Sequence, residues 1–288
     1  MKKTSSLAII ILIAVMGLIS SSMTSCSKGK NIGLQLYSLR DSIKKDVPGT
    51  IKKVAEIGYK FVEPAGYSNG KFYGMEPAAF KALCDENKLP IISSHTGRNA
   101  PDSSNYDETM AWWDACIEAH AAVGAKFIVQ ASMGAAAYDT LPALKAYCDY
   151  FNEVGAKCNA KGIRFGYHNH ARELSTKLEG QTVYDFMLEN TDPAKVMFQM
   201  DLYWAVEGGA NPLDYFNKYP GRFELWHIKD KAELGAGKMD FQAIWAGKAK
   251  SGMKYGIVEV EEYNFDTFTS VQKSLDFLNL AEYIVMPE

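Results

Sequence analysis

Eight short apolar runs, each followed by an amphipathic stretch, pace the chain from residue 32 to residue 280. The runs are 32–36, 59–63, 90–95, 126–130, 163–168, 196–201, 223–227 and 255–259. Each is five or six residues long, the length of a typical strand. The stretch 47–57 sets Val47, Ile51, Val54 and Ile57 at helical intervals and stops at Gly58. Residues 76–87 carry Pro77 near the first turn, where a missing N–H costs nothing. The stretches 106–123 and 141–161 stop at Gly124 and Gly162, as left-handed caps require. Residues 182–190, 212–219, 241–251 and 265–280 complete the set. Eight β–α units in a chain of this size predict an α/β fold, a closed (β/α)8 TIM barrel. An open doubly wound sheet would carry a glycine-rich loop after its first strand. LYSLRDSI follows that strand here, without glycine.

The first residues stand apart from this rhythm. Lys2 and Lys3 precede an apolar core over residues 7–19, long enough for a signal peptide and short for a membrane span. The sequence then runs Ser22-Met23-Thr24-Ser25-Cys26. It resembles a bacterial lipoprotein signal, with Met23 where Leu is usual and Ser25 where Gly or Ala is usual. The resemblance implies a signal peptide over 1–25, lipidation at Cys26, and a single barrel domain over 26–288. It places the protein on the periplasmic side of a bacterial membrane, held by a lipid anchor only. Residues 1–25 hold two lysines and no acid, so the remainder has 29 basic and 34 acidic side chains, a net charge of −5. A weakly acidic chain without basic runs does not advertise nucleic-acid binding. Cys84, Cys116, Cys148 and Cys158 form no CxxC pair and read as buried small hydrophobes; an oxidising compartment leaves a disulfide open. Barrel enzymes often dimerise, so a homodimer is open, though nothing in the sequence marks an interface.

Barrel chemistry sits at the C-terminal ends of the strands. From the second strand to the eighth these ends read Glu63, His95, Gln130, His168, Asp201, His227 and Glu259. Any one of them alone would more often bond a loop or cap a helix. Together, two imidazoles and two carboxylates from four consecutive strands suit one divalent cation. His168, Asp201, His227 and Glu259 are the expected ligands, and the set does not distinguish zinc, manganese, cobalt, iron or magnesium. Such an ion would polarise a carbonyl or hydroxyl oxygen and make an adjacent proton removable by a carboxylate or imidazole.

Four stretches, IRFGYHNHARE, FQMDLYWAVEGGANP, LWHIKD and IVEVEEY, carry a family resemblance that extends over residues 31–288. The chain resembles the sugar phosphate isomerase/epimerase superfamily with a xylose isomerase-like TIM barrel. That family holds one divalent metal at the barrel mouth through Glu, Asp, His and Glu from strands five to eight. The last three fall on Asp201, His227 and Glu259. The first falls on His168, so the family's two-glutamate acid–base pair is not complete here. The HNHxxE form resembles a branch of secreted and lipid-anchored bacterial members. That branch is associated with 3-keto-glycoside breakdown and inosose dehydratase-like chemistry. Related DNA-repair endonucleases carry a histidine at the place of Trp204, which argues against that activity.

Residues two apart on a strand share a face, so His170 accompanies His168 into the mouth, for substrate contact or proton transfer. Glu173 is a candidate second base, or a rim residue bonded to a loop. Lys229 follows His227 by two and could stabilise an oxyanion, or pair with Glu259 or Asp230. Glu259 combines a ligand and an acid–base role, and Glu261 shares its face. Glu63 and His95 suit sugar hydroxyls. Trp204, beside Tyr203, suits a sugar face or core packing. The expected activity is metal-dependent isomerisation or epimerisation of a carbohydrate by proton abstraction next to a carbonyl. The alternatives are a 3-keto-glycoside lyase or hydratase and a carbohydrate-binding lipoprotein without chemistry. The absence of a phosphate loop and the outer compartment favour a neutral sugar or oxidised glycoside over a sugar phosphate.

Overall fold

The computed structural model describes residues 29–287. The expected signal segment and Cys26 lie outside the described residues. Each predicted run contains a strand or, for the seventh, all but its last residue: β1 Ile32–Gln35, β2 Phe61–Glu63, β3 Ser93–His95, β4 Phe127–Gln130, β5 Arg164–His168, β6 Val196–Asp201, β7 Leu225–Ile228 and β8 Tyr255–Val258. All pair in parallel, in the order β2-β1-β8-β7-β6-β5-β4-β3. Closure between β2 and β3 rests on a parallel bridge between Val62 and Ile91, flanked by bonds from Val62 N to Pro90 O (3.1 Å) and from Ile92 N to Val62 O (3.3 Å). The expected TIM barrel is therefore present.

Eight helices cover the outside: α1 Val47–Ile57, α2 Pro77–Glu86, α3 Tyr106–Val123, α4 Leu141–Asn159, α5 Val183–Asn190, α6 Pro212–Lys218, α7 Phe241–Ala246 and α8 Thr267–Leu280. Side-chain oxygens cap the first turns of six of them: Asp46, for example, accepts from Gly49 N at 2.9 Å and Asp266 from Thr269 N at 3.1 Å. The predicted helix over 241–251 breaks at Gly247, and Lys248–Ser251 forms a separate turn. Two hairpins were not expected. Tyr67–Ser68 pairs with Lys71–Phe72 through Asn69-Gly70, and Lys177–Leu178 pairs with Gln181–Thr182 through Glu179-Gly180. All four turn residues have positive φ, the conformation of a two-residue hairpin turn. All four described cysteines are free and buried, as small hydrophobes should be.

The barrel interior is tiered. Phe61, Phe127, Val129, Met197, Leu225 and Ile257 fill its lower part. Gly33 and Gly166 make room for two of them. A Cβ on Gly33 would lie 2.1 Å from the Phe61 ring, and one on Gly166 would lie 2.4 Å from the Met197 methyl. One pleat higher along the same strand faces stand Gln35, Glu63, His168, Gln199, His227 and Glu259. The apolar floor beneath them excludes water, so these polar groups must satisfy one another. Among the described residues no helix is long and apolar enough to cross a membrane.

Candidate functional site

The upper tier opens into a cleft of about 490 Å³. Its walls include His95, His168, His170, Glu259 and Glu261, with Thr96, Arg98 and Asn99 from the loop after β3 and Ser132 from the loop after β4. Asp201 and His227 lie beneath it, fully buried. One potential ligand atom from each of His168, Asp201, His227 and Glu259 falls within 4.8 Å of the others, so the four residues could hold one cation. His227 Nδ1 stands 3.9 Å from Asp201 Oδ2 and 3.3 Å from Glu259 Oε2. His168 Nε2 stands 4.0 Å from the same Asp201 oxygen.

Asp201 tests whether the set suits a metal. Its Oδ1 accepts from Trp204 N at 2.8 Å, capping the short helix Leu202–Glu207. Its Oδ2 is buried with no hydrogen-bond partner among the described residues. A buried carboxylate oxygen without a donor is costly, and a cation relieves that cost. Two imidazoles and two carboxylates are a donor set that first-row divalent ions accept. The residues therefore fit the ion.

The electrostatics set which protons an incoming ion would displace, chiefly from His227 and Asp201. Burial opposes ionisation of Asp201 and, although Lys229 and His227 counter it, the pKa rises to about 7. Burial would lower the His227 pKa, but Glu63 and Glu259 outweigh it and raise it to about 10. Burial would raise the Glu63 pKa, but His95 and His227 bring it to about 2. Glu259 is also held well below the ordinary carboxylate range, its burial outweighed by His227 and Lys229. Burial, reinforced by His227 and His95, keeps His168 well below the ordinary imidazole value and leaves it a lone pair to donate. His170 is lowered too, chiefly by burial.

The remaining candidates divide between the cleft and its supports. His170 lines the cleft, 4.9 Å ring to ring from His168. Lys229 is buried; it donates to Glu259 Oε2 at 3.2 Å and to Glu261, and lies 4.9 Å above the Trp204 ring. That is the ion-pair arrangement weighed for it above. Trp204 is partly buried against Lys229 and His170 and does not line the cleft. Glu173 stands apart from the four-residue cluster. Its carboxylate accepts from Tyr138, from Tyr167 OH at 2.7 Å and from His170 N at 2.9 Å, closing a capping box on the helix Ala171–Ser175. Those bonds spend its oxygens on holding the loop rather than on a substrate. Glu63, considered for sugar hydroxyls, is fully buried and does not line the cleft. It accepts from Gln35 Nε2 (2.8 Å), Gln199 Nε2 (2.8 Å) and His227 Nε2 (2.6 Å). His95 lines the cleft, and its Nε2 bonds Gln199 Oε1 at 2.6 Å.

Gln199 was missed in the sequence, yet it joins three of these side chains. Its signal was available, because it interrupts the apolar run VMFQMD two residues before Asp201, on the same strand face. Arg98, Asn99 and Ser132 were missed because loop residues carry no periodicity that points them anywhere.

A closed barrel of parallel strands with buried imidazoles and carboxylates beneath its mouth defines the class: a (β/α)8 barrel with a metal-competent C-terminal face. Residues 51–280 match the model of the xylose isomerase-like TIM barrel family, and the chain belongs to that family. It is similar to a sugar phosphate isomerase/epimerase structure from Parabacteroides distasonis, with 34% identity, coverage of 89% of this chain and 100% of that one, and a TM-score of 0.83. A second structure of that description from the same organism shares 32% identity, covering 92% and 99% of the two chains, with a TM-score of 0.84. Among curated proteins, the inosose dehydratase of Geobacillus kaustophilus is 23% identical over 211 residues, 65% of this chain. The match spans 66% of that dehydratase, just under two thirds of its length.

Proposed function

We propose that this chain is a divalent-metal-dependent enzyme that removes a proton next to a carbonyl on a carbohydrate. His168, Asp201, His227 and Glu259 would hold the ion. One observation carries this reading: four ligand atoms converge within 4.8 Å, one of them a buried Asp201 oxygen with no other partner among the described residues, beneath an open cleft. The bound ion would supply Lewis acidity to a substrate oxygen.

The chain's own side chains would do the proton work. Glu259, held ionised by His227 and Lys229, is a carboxylate at the cleft that can accept a proton. His170 lines the same cleft, is pushed by burial towards its neutral form, and can relay or return one. Lys229 fixes Glu259 and Glu261 in place. Arg98, Asn99 and Thr96 offer donors to hydroxyl groups. A proton returned to carbon gives an isomer or epimer. A proton delivered instead to the β-oxygen completes an elimination, in which C–H and C–O bonds break, a C=C bond forms and water or an alcohol leaves. Two observations favour elimination as the second reading. An imidazole stands where a two-carboxylate epimerase would place its second glutamate, and inosose dehydratases are among the relatives.

The test incubates the metal-loaded chain in D2O with ketoses, inososes and 3-keto-glycosides, followed by proton NMR. Deuterium at the carbon beside the carbonyl, lost in Glu259→Gln, supports proton abstraction. Accumulation of an unsaturated ketone assigns elimination. Sugar binding that survives both metal removal and Glu259→Gln, with no exchange on any of these substrates, would leave a carbohydrate-binding protein instead.

The pattern of residues 1–26 supports lipidation at Cys26 and a periplasmic, membrane-anchored site of action. Cys26→Ser should then move the protein from the detergent phase to the aqueous phase of a cloud-point partition. Unchanged partitioning would remove the anchor.

A further inference from the structure

Beneath the four candidate ligands lies a closed set of hydrogen bonds in which each group can take only one role. The carboxylate oxygens of Glu63 face nitrogen donors alone, so they accept. Three N–H donors meet it, from Gln35, Gln199 and His227. Because the Gln199 amide nitrogen must face Glu63 Oε2, its carbonyl oxygen faces the other way. There it meets His95 Nε2 at 2.6 Å and His168 Nδ1 at 3.0 Å. A carbonyl oxygen cannot donate, so both of those imidazole nitrogens carry protons. His168 is then left with its lone pair on Nε2, the atom that faces Asp201 Oδ2. On the other arm, His227 gives its Nε2 proton to Glu63 and keeps Nδ1 for the side facing Asp201 and Glu259.

We propose that Glu63 is a positioning residue: directly and through Gln199, it fixes which nitrogen of His227 and His168 points at the ion. This rests on the metal reading given above. It assigns Glu63 a role under the site rather than on the substrate. A carboxylate behind a ligating imidazole orients the ring, and loss of such a partner typically weakens metal affinity about 10- to 100-fold.

The isosteric variant Glu63→Gln tests the logic because its amide cannot satisfy both arms. If the new NH2 faces Gln199, that side chain must flip, and its own NH2 then meets His95 and His168. The His168 proton is pushed to Nε2, where it blocks the ligand atom. If the new NH2 faces His227 instead, the proton of that ring is pushed to Nδ1, with the same result. The exchange Glu63→Gln with Gln199→Glu restores the pattern. The carboxylate introduced by the second substitution accepts from His95, from His168 and from the NH2 of the new amide. The oxygen of that amide accepts from His227 and Gln35.

The experiment measures zinc affinity of the full chain by competition with a chromophoric chelator, and records the cobalt d–d spectrum. Wild type, Glu63→Gln and the double exchange are compared, with circular dichroism as a check on folding. The expected result is a loss of about 10- to 100-fold in Glu63→Gln with an altered cobalt spectrum, and recovery of both in the exchange. Equal affinity in wild type and Glu63→Gln overturns the positioning role alone. A folded exchange variant that stays as weak as the single variant also overturns it, because the donor pattern is then not what matters. If the single variant does not fold, the exchange decides: near-wild-type affinity supports the proposal and weak binding refutes it. Failure of the wild-type chain to bind zinc or cobalt overturns the metal reading itself, and the proposal with it.

Discussion

Four of the five histidines gather at the barrel mouth, and the fifth, His120, is sealed between α3 and the 67–72 hairpin. Its Nδ1–H donates to Cys116 O at 2.7 Å, its Nε2 is buried without a partner among the described residues, and burial lowers its pKa to about 4. The unfolded imidazole takes its proton near 6.5, the folded one only near 4, so in between the unfolded chain binds more protons. Stability therefore falls as pH drops through that window. His120 alone should cost about 2 kcal/mol between pH 7.5 and pH 5. Urea unfolding at the two pH values should show a smaller difference in His120→Phe than in wild type; an equal difference would mean that His120 titrates normally. In the sequence, His120 and the mouth histidines look alike, since residue type does not reveal burial. What separated them was position. His95, His168 and His227 end apolar runs, and His120 lies within a helical stretch.

At the scale of elements, strand existence was legible because a strand buried on both faces must read as a short apolar run. Several runs begin before their strands, as at Tyr59 and Pro90, whereas the run 196–201 coincides with β6. Gly33 carries the packing of β1 against β2. Its substitution by alanine would drive a methyl into the Phe61 ring, and overpacking of this kind costs about 1–3 kcal/mol. Gly33→Ala should lower the thermal midpoint, and Gly33→Ala with Phe61→Leu should recover part of the loss. An unchanged midpoint in the single variant would show that the ring moves freely. The hairpin at 67–72, not expected above, is marked in the sequence by Asn69-Gly70, the strongest short turn signal. The helices Ala171–Ser175 and Leu202–Glu207 are not so marked, because each is too short to show a period and depends on a cap supplied by Glu173 or Asp201.

For the whole molecule, the metal reading predicts a link between ion binding and stability, because the ligand atoms meet only in the closed barrel. A ligand that binds only the native state at a hundred times its Kd adds about 2.7 kcal/mol. Saturating zinc or manganese should raise the melting temperature of wild type and leave His227→Ala unmoved, as scanning calorimetry would show. A wild-type midpoint indifferent to every divalent ion would remove the site. The sequence by itself determined the barrel and the residue types at its mouth, because periodicity and strand ends are local properties that hold wherever the strand lies. Only the tertiary structure decided that Glu63 lies under the mouth, that Gln199 joins two imidazoles to it, and that Glu173 and Lys229 are already committed to neighbours. Those roles depend on side chains brought together from strands far apart in the chain, and a hydrogen bond is set by that meeting, which no single segment encodes.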